Sequence, residues 1–212
     1  MSARLVSWSQ SPDGKTLLEQ VAYAARVSNP TTQMTNLNSR RLVDYLIRNK
    51  HWSPLEMVSI CLEIETTRDI ARQLLRHRSF SFQEFSQRYA VVDGFDFREA
   101  RLQDTQNRQN SIETDDQELK EQWMDKQQDI MYLVHNTYKW ALDNGIAKEQ
   151  ARVVLPEGLT TSRLYVNGTL RSWYHYIELR SANGTQKEHR ELARACAEAI
   201  DAIFPIKVVE SS

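Results

Sequence analysis

The sequence is short of glycine, proline and cysteine, with six, five and two in 212 residues. The glycines form neither G-x-G-x-x-G nor G-x-x-x-x-G-K-[ST], so any dinucleotide is not bound in the standard Rossmann manner. Cys61 and Cys196 lie far apart without a C-x-x-C, which argues against a disulfide framework and against a zinc site. No apolar run approaches the roughly 20 residues of a membrane span, and residues 1–4 lead into no signal-peptide core, so a cytoplasmic protein is expected. Net charge is missing too. The 27 basic and 28 acidic side chains leave −1, so no overall field draws nucleic acid or an anionic membrane, and any anion site must be local.

What is present suffices for a core. A hydrophobic content of 41% fits one large domain over 1–212, with a polar loop or insertion at about 99–116. Residues 5–8 suit an opening strand and residues 11–14 a turn. Leu17, Leu18, Val21, Ala22 and Ala25 recur at helical spacing until Asn29-Pro30. A second helix is expected at about 39–48, and residues 58–64 alternate as a half-buried strand does. A long helix should start at Gln117, with Leu119, Trp123, Ile130, Leu133, Val134, Thr137, Tyr138 and Ala141 on an apolar stripe ending at Asn144-Gly145. Asn167-Gly168-Thr169 opens a further helix with Leu170, Trp173, Tyr174 and Ile177 inward. Thr185-Gln186-Lys187-Glu188 forms a capping box for the last helix, in which Cys196 packs inward and His189 faces solvent. The fold class expected is α+β, a small mostly antiparallel sheet packed with several helices.

The chemistry concentrates in residues 76–89, where Arg76, His77, Arg78, Glu84, Ser86 and Arg88 interleave with aromatics and amides. Thr66 or Thr67 caps the preceding helix, on which Ile70, Leu74 and His77 share a stripe flanked by Gln73 and Arg78 if the helix persists. Arg76 then points the other way, so Arg76 and Arg78 serve two ligands or two sides of a subunit boundary. Buried polar groups such as His77 and Gln73 need partners, since each costs about 1–3 kcal/mol unpaired. Residues 83–88 are too polar for a core strand, and a loop ending in an arginine suits a phosphate, because the guanidinium fork stays charged and bonds bidentately. Upstream, His51 and Glu56 lack a third ligand at a familiar spacing, so no metal is expected. Arg152, directly before three apolar residues, suits either a salt bridge at an element boundary or a ligand. Arg180, seven beyond Trp173, falls near the azimuth of the apolar stripe, where a charge needs a partner; it either snorkels outward or lines a pocket.

Arg76-His77-Arg78, followed after seven residues by Ser86, resembles the R-H-R-x7-S signature of flavin-dependent thymidylate synthases. His51-Trp52-Ser53-Pro54-Leu55-Glu56 resembles the family's H-x-[ST]-P-x-E segment, and the stretches around Arg152 and Arg180 are similar to two more. The resemblance implies conversion of dUMP to dTMP with 5,10-methylenetetrahydrofolate as carbon donor, FAD as redox carrier and NADPH as reductant. It places Gln73, Leu74, Leu75, Arg76, Glu84, Phe85, Ser86, Gln87, Arg88, Arg152 and Arg180 at dUMP positions. Ser53, Arg76, His77, Arg78, Glu84, Thr169, Arg171 and His175 fall at or beside FAD positions. Arg180 matches the arginine on the pyrimidine ring, where a fixed positive charge stabilises the ring as it becomes anionic and no cysteine nucleophile is needed. The family is a homotetramer with active sites between subunits. The sequence departs from it at Thr169, where asparagine is frequent, at Gly184, where some members have histidine, and at Gln87, where a small residue is common. The alternatives are a non-catalytic nucleotide-binding module, which would keep Arg88 and Arg152 alone, and an RNA-binding domain, which the balanced charge disfavours.

Overall fold

A computed structural model of the chain describes residues 1–34 and 38–206; the rest of the 1–212 span lies outside the described residues. Strand β1 (Ser2–Trp8) is followed by helices α1 (Leu17–Ala25), α2 (Pro30–Gln33) and α3 (Ser39–Arg48). The α1 start is a reciprocal cap, in which Thr16 N donates to Glu19 Oε2 at 2.9 Å and Thr16 Oγ1 accepts from Glu19 N at 3.3 Å. After a 3-10 turn, Ser53–Met57, come β2 (Ser59–Thr67), α4 (Arg68–Leu74) and β3 (Phe80–Glu84). A hairpin of β4 (Arg101–Gln103) and β5 (Ser111–Glu113) precedes the long α5 (Gln117–Asp143) and the short α6 (Lys148–Ala151). Strand β6 (Thr161–Thr169) then leads into α7 (Leu170–Ser181) and α8 (Lys187–Asp201).

The main sheet has the order β1-β2-β6-β3, with every pairing antiparallel. This bears out the expected α+β class. Alternation puts Ile60, Leu62 and Ile64 of β2 opposite Gly168, Val166 and Leu164 of β6, all on the buried face. Helices α7 and α8 cover that face with Leu170, Trp173, Tyr176, Ile177, Leu192, Cys196 and Ile200. The Trp173 indole N–H, which burial would otherwise orphan, donates to the Ile60 carbonyl at 3.0 Å. A smaller cluster of Val92, Tyr138, Ala141, Ala151 and Leu155 lies between α5 and the segment after β3.

Four expectations need correction. Helix α4 ends at Leu74, closed by hydrogen bonds from Leu75 N to Ala71 O and from His77 N to Leu74 O, so His77 and Arg78 lie in the turn beyond it. Residues 83–88 indeed form no core strand: only Gln83 and Glu84 join β3, an edge strand that buries alternate side chains. Residues 167–169 end a strand, and the next helix starts at Leu170. The polar 99–116 region is a hairpin tied down by Arg101 and Lys187 rather than a free loop. On α5 the expected stripe is largely outward, with Trp123, Ile130 and Leu133 43%, 51% and 68% exposed.

Candidate active site at the α4–β3 turn and helix α7

Two groups of predicted residues come together. The first surrounds α7. Thr169 caps this helix, its Oγ1 accepting from Ser172 N at 3.2 Å, and Ser172 Oγ donates to the Ser79 carbonyl at 3.2 Å, which fastens the turn carrying Arg76, His77 and Arg78 to the helix start. In the same first turn, Arg171 is ion-paired with Glu56. The His175 ring stands edge-on to Trp52 at 4.5 Å between centroids, so the 51–56 segment and the Arg171 and His175 face meet beside Ser53. Burial and the Arg171 charge lower the His175 pKa.

Arg180 lies in the last turn of α7, and its Nε donates to His77 Nε2 at 3.0 Å. That nitrogen must therefore be bare, and burial together with the Arg180 charge lowers the His77 pKa, keeping the ring neutral. The Arg180 Nη groups make no hydrogen bond among the described residues, and neither Arg76 nor Arg78 has an ion pair among them. Three guanidinium groups thus stand available to an anion.

The second group follows β3. Glu84 accepts from Ser162 Oγ at 2.9 Å and pairs with Arg68 at 3.3 Å, which aims the chain after it. Ser86 closes a turn in which its carbonyl accepts from Tyr89 N and Ala90 N. Arg88 pairs with the Glu149 carboxylate at 3.2 Å, and Arg152 Nε donates to the Glu149 carbonyl at 3.3 Å, so the two arginines expected at a phosphate meet on one residue. Gln87, directly before Arg88, is buried, with its side-chain N–H group unpartnered among the described residues. Such a donor is open to an acceptor from outside the chain. Leu74 is buried, and Leu75 and Phe85 are half-buried.

Several residues of this neighbourhood were not read from the sequence. His189, expected at the surface, is fully buried: His189 Nδ1 lies 3.2 Å from Gln73 Oε1 and Nε2 lies 3.2 Å from the Tyr176 hydroxyl. It shares the helical stripe of Leu192, Cys196 and Ile200, a signal available in the spacing. Burial, then the charges of Arg180 and His77, lower its pKa to about 3. The expected capping box is also absent: Gln186 is the cap residue and makes no cap hydrogen bond, while Glu188 is buried and ion-paired with Arg101 and Arg98. Neither cysteine offers a nucleophile. Burial raises both thiols, that of Cys196 strongly, and Cys196 is fully enclosed.

An antiparallel α+β fold, free guanidinium groups and no activated thiol agree with what comparison shows. Residues 9–206 match the family described as thymidylate synthase complementing protein, and this is the class that fold and site define. A probable flavin-dependent thymidylate synthase of Paramecium bursaria Chlorella virus 1 is 48% identical over 97% of this chain and 96% of that one. The flavin-dependent thymidylate synthase of Synechocystis is 45% identical over 97% and 96%. A solved UMP/dUMP methylase, PolB from Streptomyces cacaoi bound with 5-Br dUMP, superposes with a TM-score of 0.81 at 28% identity over 95% of this chain and 90% of that one. The chain belongs to the flavin-dependent thymidylate synthase family.

Proposed function

We propose that the protein makes dTMP from dUMP by reductive methylation, with 5,10-methylenetetrahydrofolate as carbon donor, FAD as bound carrier and NADPH as reductant. The observation that carries this is Arg180, anchored through Nε on neutral His77 with neither Nη group hydrogen-bonded among the described residues. A guanidinium so held presents a fixed positive charge to the pyrimidine, where it stabilises the ring as carbon 5 becomes nucleophilic. The acceptor role of His77 orients that charge, and the neutrality of His77 avoids competing with it. Arg88, Arg152 and the Gln87 amide bind the phosphate, displacing the Glu149 carboxylate, while Ser86 and Glu84 shape the loop.

The residues around α7 fit a flavin. Arg171 and His175, with Glu56 and Trp52 packed on them and the turn after Arg78 tied to the helix start through Ser172, bring together cation and aromatic edge, which suits a flat, phosphate-bearing cofactor with Ser53, Arg78 and Thr169 contributing to its site. When bound, FAD supplies the reducing equivalents for the transferred carbon. A nucleotide-binding module would have no need of this group around α7.

The reading includes a homotetramer with sites shared between subunits. Its support is α5, 27 residues long, whose outward Trp123, Ile130, Leu133 and Trp140 form an apolar face too extensive for a solitary helix. No helix among the described residues is long and apolar enough to cross a membrane. The test is to purify the protein, record its flavin absorption and assay dTMP formation from dUMP, 5,10-methylenetetrahydrofolate and NADPH. A colourless protein that takes up no FAD would overturn the proposal.

A further inference from the structure

The buried polar groups behind the site form a chain whose direction is fixed by one end. Glu188 is enclosed; burial acts to raise its pKa, but its own backbone N–H, the Gln186 amide, Arg98 and Arg101 outweigh burial and leave it lowered. An ionised carboxylate only accepts, so the Gln186 nitrogen must face it, as it does at 2.9 Å. The Gln186 oxygen then faces Gln73, whose Nε2 donates to it at 2.9 Å. That leaves Gln73 Oε1 toward His189 Nδ1 at 3.2 Å, so the proton sits on Nδ1. His189 Nε2 is then bare, and the Tyr176 hydroxyl donates to it at 3.2 Å. Each link permits one orientation once the carboxylate is in place.

Both ends of this chain are anchored. Behind Glu188 stands the polar hairpin: Arg101 pairs with Glu188, and Lys187 reaches Glu99 and Glu113 at 2.7 Å each. Arg98 bonds Thr67 and Asp69 at 2.6 and 3.0 Å, and its backbone is clamped from both sides by the buried Gln127 of α5 at 2.8 Å. At the other end, the tethered Tyr176 ring stands at 89° to the His77 ring, 5.1 Å between centroids, with Phe80 6.5 Å from His77. The hydroxyl bond fixes where the phenol sits, and packing against Phe80, Trp173 and His77 fixes its plane, so the ring in turn flanks and orients the imidazole whose Nε2 receives Arg180.

We propose that His189 is a positioning residue, the centre of a one-way hydrogen-bond chain from Glu188 through Gln186, Gln73 and His189 to Tyr176 that orients His77 and, through it, Arg180. This gives the 99–116 hairpin a task, as the brace on which the chain ends. The consequence for turnover rests on the reading of Arg180 as the pyrimidine contact; the chain itself does not.

The test uses full-length protein labelled with 15N-histidine, with resonances assigned by loss in H189Q and H77Q. At pH 7, His189 and His77 should both be neutral and protonated on Nδ1. Y176F removes only the hydroxyl; it should shift the His77 signal and leave exposed His51 and His135 unmoved. It should also lower kcat about tenfold, the scale expected when a reacting geometry is loosened, with a smaller change in the KM for dUMP. If Y176F does not fold, Q186M breaks the chain at a half-buried link and takes the same measurements. A proton on His189 Nε2, a His77 signal indifferent to the break, or an unchanged kcat in an active enzyme would each overturn the proposal. Absence of dTMP synthesis in the wild type would instead count against the enzyme reading, while the spectra still decide the chain.

Discussion

Among the described residues Arg180 makes one hydrogen bond, and that bond is to a neutral acceptor. A structural arginine on a packed helix is normally paired with a carboxylate, because a half-buried charge is expensive when it is not. Here the partner steers without neutralising, which suits a charge reserved for a ligand. Arg180→Ala should therefore cost turnover far more than stability. Loss of a group that acts on developing charge is worth about 10²–10³ in kcat, whereas the single bond to His77 is worth about 1 kcal/mol of folding. Comparing kcat with the melting midpoint checks this, and parallel losses would contradict the assigned role.

At the scale of elements, the site is held by the join between β3, β6 and the start of α7. Gly168 of β6 faces Phe80 of β3, and a Cβ there would come 2.3 Å from the Phe80 ring, which itself lies 4.6 Å from Trp173. Gly168→Ala would push the aromatic ring, and with it the turn bearing His77, away from α7. A loss of about 1–3 kcal/mol is expected from such overpacking, readable by urea denaturation, with weakened flavin retention as the accompanying sign. This join was only partly legible in the sequence. Asn167-Gly168-Thr169 resembles a helix start, and Thr169 does cap one, but the alternation of Ser162, Leu164 and Val166 with Arg163 and Tyr165 carries β6 up to the cap. Likewise Arg76, His77 and Arg78 were found by their motif and not by their placement, since helical periodicity runs smoothly past Leu74 while the backbone tightens into turns. The segments around residues 51–56 and α7 were recognised separately; that Trp52 and Glu56 pack on His175 and Arg171 is a tertiary fact with no local trace. The Glu188 to Tyr176 chain was missed for the same reason, each polar residue having an ordinary surface reading until its partners are in view.

For the molecule as a whole, two properties follow from groups far from any ligand. The first is acid lability. His189 titrates at 6.5 when unfolded and at about 3 when folded, so between those values the unfolded chain binds the extra proton and stability falls as pH drops. At ~1.4 kcal/mol per unit, the loss is about 3 kcal/mol by pH 4, added to that from Glu157, whose ion pair with Arg72 lowers its pKa. Denaturation at pH 7 and pH 4 should show a smaller difference in H189Q than in wild type, and an equal one would argue that His189 is solvated. The second is assembly. Among the apolar residues that α5 turns outward, Leu133 is 68% exposed, and its aliphatic side chain makes no hydrogen bond or ion pair whose loss would unfold the helix. Leu133→Glu places a charge in the centre of that face at little cost to the isolated chain, because an exposed substitution away from such features stays within about 0.5 kcal/mol. Light scattering should then report a smaller species than wild type, with the helical circular dichroism kept. If sites are shared between subunits, dTMP synthesis falls with the assembly and returns where high concentration restores it. A variant that disassembles and keeps full activity would place a complete site within one chain, with Arg88 and Arg152 meeting at Glu149 as its phosphate end.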